Sequence, residues 1–255
     1  MESVLECQNN NDEREWNQWL PGWGTNGSQS GAYFAPHGWR NAAPTREFGD
    51  NVFEMTDENM GAGLAGLVYD PRRTGTIFAP GDTVVHDVDD SPWGNNITFD
   101  PKTHANPAIT KKYGLRKYYY PIHTGYKAPF IDPNNWRLIR YADVLLMYAE
   151  ADYHVNGSSG DGIDKLNMVR ARAGMPEVAT LSPEAIMHER DVELGMEAIR
   201  YLDLVRWSRV GPDWVDPEDL PDLMDGFVIN KNEYWPIPIG EINKMNGLLV
   251  QNPGW

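Results

Sequence analysis

Three sets of residues in this 255-residue chain have types and spacings that could do chemistry. Glu189, Glu193 and Glu197 recur every four residues, with Arg190, Arg200 and Arg206 among them. Paired carboxylates on one helix face can act as general acid and base. Interspersed with guanidiniums, they more simply form ion pairs that tie neighbouring helices together, and that is the reading adopted. Asp82, Asp87, Asp89 and Asp90 cluster, as do Asp161 and Asp164, but neither group has the spacing of an EF-hand loop. His37, His86, His104 and His123 are scattered without the four-residue spacing of a helical zinc site. No metal and no cofactor is expected beyond a fortuitous calcium.

The third set is aromatic. The chain holds ten Trp and twelve Tyr on a background of 24 Gly and 19 Pro. Trp16 and Trp19 are three apart and share one face of a short helix expected over 11–20. Trp23, Tyr33, Phe34 and Trp39 follow in a Gly-rich stretch, and Trp93 stands beside Asn95 and Asn96. A Trp ring offers a flat apolar face to the C–H face of a pyranose and loses few rotamers on binding. Asn26, Arg40, Asn95 and Asn96 can hydrogen-bond sugar hydroxyls. The candidate ligand residues are therefore Trp16, Trp19, Trp23, Trp39, Arg40, Trp93, Asn95 and Asn96. The competing reading is that such rings only pack loops together.

A net charge of −15 argues against nucleic acid and against an anionic membrane surface, both of which need clustered Lys and Arg. It is compatible with a neutral ligand. The single cysteine, Cys7, excludes an internal disulfide; in the alternating run Ser3–Gln8 it reads as a buried structural thiol. No apolar run spans a membrane. No phosphate-binding loop, dinucleotide fingerprint or nucleophile elbow occurs.

The chain divides near residue 131. Residues 1–130 form a loop-rich aromatic subdomain, with a helix expected from Phe53 to Leu67 and a strand at Lys117–Tyr120. Residues 131–255 are helical. An amphipathic helix is expected from Trp136 to about Val155, with Leu138, Tyr141, Leu145, Tyr148 and Ala149 as its core stripe. Asn156-Gly157 stops it. A second runs from Ile163 to Ala173 and ends at Gly174. The two make an α/α hairpin of the tetratricopeptide-like kind. A third starts at Ser182-Pro183-Glu184, with Ser as cap and Pro in the first turn, and reaches about Met196. A fourth covers 197–207, and a last helical turn lies near 240–243. The fold class is thus mainly α, with tetratricopeptide-like hairpins packed against a large loop-rich subdomain containing a few short strands.

Four stretches occur in a telling order: Arg137–Ala151 (RLIRYADVLLMYAEA), Leu166–Gly174 (LNMVRARAG), Glu189–Leu194 running on to Arg200–Trp207, and Tyr234–Pro238 closing on Gln251–Trp255. In that order they resemble the C-terminal half of the SusD/RagB family. The resemblance implies non-catalytic capture of an oligo- or polysaccharide, or in some members a peptide, at the bacterial outer membrane. It implies a TonB-dependent SusC-like transporter as partner and a lipid anchor outside this chain. It also implies that the Glu-Arg to Asp-Leu-x-Arg-Trp stretch is structural and that glycan is held by aromatics of the loop-rich part. Ala198 stands where the family pattern has Gly, an exchange expected to tighten the junction of the third and fourth helices. The start on Glu2-Ser3-Val4 reads as the middle of a protein. A missing N-terminal part would leave an apolar face on these helices, to be covered by a second copy or a separate piece. The alternative from another class is a carbohydrate-active hydrolase using loop carboxylates such as Asp87 and Asp90.

Overall fold

A computed structural model of the chain describes residues 2–8, 43–53, 55, 69–84, 97–100, 112–119 and 134–255. They fall into two compact units, Met1–Met196 and Glu197–Trp255.

In the first unit, strand β1 (Ser3–Cys7) is followed by a π-helical turn at Phe48–Val52 and a short helix α1 (Arg72–Thr76). Strands β2 (Ile77–Phe78), β3 (Thr83–Val84), β4 (Ile97–Thr98), β5 (Gly114–Leu115) and β6 (Trp136–Arg140) come next. Helices α2 (Tyr141–Asn156), α3 (Gly162–Arg172) and α4 (Pro183–Glu193) complete it. The strands pair antiparallel as β1 with β6, β2 with β5 and β3 with β4.

The α/α hairpin forms as its sequence predicts, with one correction. The segment Trp136–Arg140 is a strand, and the helix begins only at Tyr141. β1 supplies a partner edge, with Cys7 opposite Trp136 and Ser3 opposite Arg140. The Tyr141 N–H then donates to the Glu2 carbonyl at 2.7 Å. Tertiary pairing thus overrides helical periodicity where aromatic and β-branched side chains tolerate both. Gly162 opens α3 where a Cβ would lie 2.9 Å from the Ala149 carbonyl, so the hairpin helices meet through a residue with no side chain. Gly174 ends the segment at φ 75°, the left-handed stop expected of it.

Ser182 caps α4, its hydroxyl accepting from the Ala185 N–H at 3.2 Å. The helix ends at Glu193 rather than Met196. The Glu193 carbonyl accepts from Arg140 Nη2 at 2.5 Å and from Lys117 Nζ at 2.8 Å, and Met196 has a φ of 65°. Lys117 also explains why 117–118 is a turn, not the expected strand, which lies at Gly114–Leu115 instead. Its ammonium is drawn to the end of α4, and the next ring, Tyr118, stacks on Trp136 at 4.6 Å. Cys7 is exposed, contrary to the expected buried thiol. A two-stranded ribbon covers a strand's edge but leaves a face open.

Two apolar clusters hold the described residues between β1 and β6. Phe53, Ile77 and Tyr113 pack with Val192 of α4, and Phe78, Val84 and Phe99 form the other. The expected helix from Phe53 lies mostly outside the described residues, and Phe53 itself sits in a turn.

The second unit holds α5 (Arg200–Trp207), a 3-10 turn at Pro217–Asp219, α6 (Leu220–Leu223) and α7 (Ile239–Lys244). Trp207, fully buried, stacks on Trp214 at 6.0 Å. The Tyr234–Pro238 and Gln251–Trp255 stretches clasp each other. Gln251 brackets Ile237 through both its N–H and its carbonyl at 2.8 Å, and Asn252 Nδ2 donates to the Trp235 carbonyl at 2.6 Å. No helix among the described residues is long and apolar enough to cross a membrane.

Candidate functional site: a charged keystone and the loops it anchors

The carboxylates that could have served catalysis are buried in a lattice of guanidiniums. Glu189 is fully buried; its two oxygens accept from Arg72 at 2.5 Å and from Arg170 at 3.0 Å. Glu193 accepts from Arg140 at 2.6 Å, from Arg72 at 3.1 Å and from Arg172. Arg72 reaches back to Asp70 at 2.7 Å, and Arg190 holds Asp143 at 2.9 Å. Burial alone would raise the Glu193 carboxyl, but Arg140, Arg172 and Arg72 more than reverse this and hold its pKa below the ordinary value. The Arg72 pKa is raised instead: burial would lower it, and the carboxylates of Asp70 and Glu189 outweigh burial. Glu193 therefore stays ionised near neutral pH. Each glutamate is tied by hydrogen bonds to cations from at least two other elements, as structural ion pairs are.

The lattice does a positional task. Arg72 opens α1 in the loop-rich segment, Arg140 ends β6, Arg170 and Arg172 lie on α3, and the glutamates lie on α4. One cluster therefore ties α1, β6 and α4 to the hairpin helix α3. Sequence reasoning found the glutamates but missed Asp70, Arg72 and Lys117. The one available signal was Asp70-Pro71-Arg72, an acid and Pro at a helix start beside a base.

The described residues define where the segments that carry the candidate ligand residues begin and end. The segment 9–42, which carries Trp16, Trp19, Trp23, Trp39 and Arg40, leaves from the end of β1 and returns at Ala43. Its departure point is held by Asn135 Nδ2, which donates to Glu6 Oε1 at 2.7 Å. The segment 85–96, which carries Trp93, Asn95, Asn96, Asp87 and Asp90, joins β3 to β4, whose ends pair Val84 with Ile97. All eight candidate ligand residues, and the rival carboxylates, lie outside the described residues.

The described part of the loop-rich segment adds one polar-aromatic patch. Tyr69 is exposed, with the Arg73 guanidinium 4.2 Å over its ring. Nearby, Asp50 is held below its ordinary pKa by hydrogen bonds from Lys112, at 2.5 Å, and from the Tyr113 hydroxyl. Among the described residues no group of three or more His, Cys, Asp and Glu is placed to hold a metal ion.

With this geometry in hand, the similarities of the chain are informative. It is 41% identical over 83 residues to a SusD-like protein of Bacteroides ovatus; the match covers 32% of this chain and 15% of that protein. A laminarin-binding SusD-like protein of known structure superposes with a TM-score of 0.60 at 26% identity, covering all of this chain and 50% of the other. Surface glycan-binding protein A of Bacteroides thetaiotaomicron, solved with laminarihexaose, superposes with a TM-score of 0.62 at 23% identity over 98% of this chain and 52% of that one. The chain thus spans about half the length of these solved relatives, and the curated match a smaller share still. The SusD family matches residues 2–255. A mainly helical fold with short strands, a hairpin stapled by buried ion pairs and a match along its whole length place this chain in the SusD family.

Proposed function

We propose that this chain captures glycan at the bacterial cell surface, without chemistry, and delivers it to a TonB-dependent SusC-like transporter in the outer membrane. The observation that carries the reading is its membership of the SusD family over residues 2–255, together with a relative at 26% identity that binds laminarin. The buried carboxylates support the non-enzymatic half. Asp70, Glu189 and Glu193 are buried and occupied by guanidiniums, so none is free to face a glycosidic bond as hydrolysis requires. The ligand is assigned to the loop-rich 1–130 segment, to rings and amides at Trp16, Trp19, Trp23, Trp39, Arg40, Trp93, Asn95 and Asn96. Stacking on aromatic faces supplies apolar contact to the sugar ring, and planar polar side chains fix its hydroxyls.

Isothermal titration against a panel of polysaccharides that includes laminarin, with analysis of reducing ends in the same samples, tests this. Heat without new reducing ends is the expected result. Substitution of Trp16, Trp19, Trp39 and Trp93 singly by Ala is expected to cost about 1–3 kcal/mol of affinity at one or more of them. Release of reducing sugar would instead support a hydrolase using loop carboxylates such as Asp87 and Asp90. Silence on every glycan, with binding to peptides, would replace the ligand class.

A further inference from the structure

Tyr69 and Arg73 flank a turn that the buried ion pairs hold still. Between them, Asp70 is buried and accepts from the Arg72 N–H at 2.8 Å and from the Arg72 guanidinium at 2.7 Å. The Asp70 N–H donates to the Phe53 carbonyl at 2.7 Å, and the Arg73 N–H to the Asp70 carbonyl at 3.0 Å. Both side chains therefore leave a fixed backbone, which lowers the cost of ordering them around a ligand. Arg72 spends its guanidinium on three carboxylates. Arg73 meets none among the described residues. It lies 4.2 Å over the Tyr69 ring and 5.5 Å from the Tyr113 ring, and its Nε donates to the Gly49 carbonyl at 3.3 Å. Gly49 belongs to the π-helical turn and lies against Tyr113, where a Cβ would come within 2.2 Å of the ring. Such turns occur frequently at functional sites. The next residue of the turn is Asp50, half-buried. The Tyr113 hydroxyl joins Asp50 to Arg73: it donates to Asp50 Oδ1 and accepts from Arg73 Nη2 at 3.5 Å. Among the described residues Arg73 Nη1, Asp50 Oδ2 and the Tyr69 hydroxyl make no hydrogen bond. Tyr69 is 38% exposed even with the guanidinium on it.

We propose that Tyr69, Arg73 and Asp50 form a subsite for one neutral hexopyranose unit, an inference that rests on the glycan capture proposed above. The exposed ring stacks against the C–H face of the sugar. Arg73 Nη1 donates its two N–H groups to sugar oxygens, and Asp50 Oδ2 accepts from a sugar hydroxyl. A hydroxyl both donates and accepts, so a spare donor fork and a spare acceptor on either side of one tyrosine hydroxyl suit a pair of neighbouring hydroxyls. Lys112 holds Asp50 Oδ1 at 2.5 Å and keeps the carboxylate ionised, hence an acceptor. A uronate or sulfated sugar is disfavoured, because Asp50 stands beside Arg73 and repels an anion placed on it. The subsite adds a contact built on fixed backbone to the rings of the 9–42 and 85–96 segments.

The test titrates the parent and three variants calorimetrically with laminarin and, where laminarin gives no heat, with the other polysaccharides of the panel. Tyr69→Ala is expected to weaken binding about tenfold. Tyr69→Phe keeps the ring and should stay within about threefold of the parent. Arg73→Gln should again cost about tenfold, because a charged donor is lost. The thermal midpoints of both Tyr69 variants should lie within about 2 °C of the parent, as for other exposed positions. An oligosaccharide of the same glycan should also shift the Arg73 Nε–H resonance of the parent in nitrogen–proton NMR spectra, the signal being identified by its loss in Arg73→Gln. A parent that binds while Tyr69→Ala binds equally well overturns the subsite and leaves glycan capture standing. A parent that gives no heat with any polysaccharide overturns both. Binding confined to uronate or sulfated polysaccharides, and lost in Arg73→Gln, overturns the neutral sugar.

Discussion

Glu193 is shared by three guanidiniums, and that sharing makes the protein's stability pH-dependent in one direction. Its carboxyl is held below the ordinary value in the folded state, so the folded form binds its proton less readily than the unfolded form. The resulting stability is complete above the unfolded carboxylate value of about 4.3 and is lost as pH falls through the lower folded value. The thermal midpoint should therefore hold between pH 7 and 5 and drop below about pH 4. Glu193→Gln should begin lower, because it leaves buried guanidiniums short of charge, and should show a shallower acid limb. Equal acid limbs in parent and variant would show that Glu193 carries no such shift. The pairing of these glutamates with arginines was legible from their four-residue spacing. Their actual partners were not, because Arg72 and Arg140 stand 117 and 53 positions away from them in the chain.

At the scale of elements, the junction after α4 shows what one side chain does to backbone. Ala198 occupies the position where the family pattern has Gly, and its φ is 64°. It sits in the left-handed region, where a Cβ crowds the following carbonyl and costs about 1–2 kcal/mol. α5 starts at Arg200, three residues later than periodicity suggests. Ala198→Gly relieves that crowding and adds a smaller unfolded-state entropy cost of about 0.4–1 kcal/mol. It is expected to raise stability by roughly 0.5 kcal/mol, read as a higher urea midpoint at unchanged slope. A fall in the midpoint would mean that the alanine side chain is a packing contact. Helix starts with chemical markers, such as Ser182-Pro183, were readable locally. The Trp136–Arg140 strand was not, because its partner β1 is 129 or more positions earlier and local pattern allows either structure.

For the molecule as a whole, a charge of −15 predicts how the proposed ligand binds. A neutral glycan held by ring stacking and hydrogen bonds has no long-range electrostatic attraction to lose. Its affinity should change less than about twofold between 50 and 500 mM salt, over which exposed charges become screened. A steep loss with salt would point to a charged ligand. The same charge has to be reconciled with a compact fold, and the buried lattice does so by facing acids with arginines where solvent is excluded. By itself the sequence determined composition, helix periods, caps and the ordered stretches that mark the SusD family, because these depend on neighbours within one or two turns of chain. Only the tertiary structure decided which cations meet Glu189 and Glu193, that Cys7 is exposed, and that Tyr141 and Tyr148 of the expected α2 core stripe are exposed as well. Those outcomes depend on which surface of one element happens to be covered by another, and periodicity along a chain cannot say which of two apolar faces finds its cover.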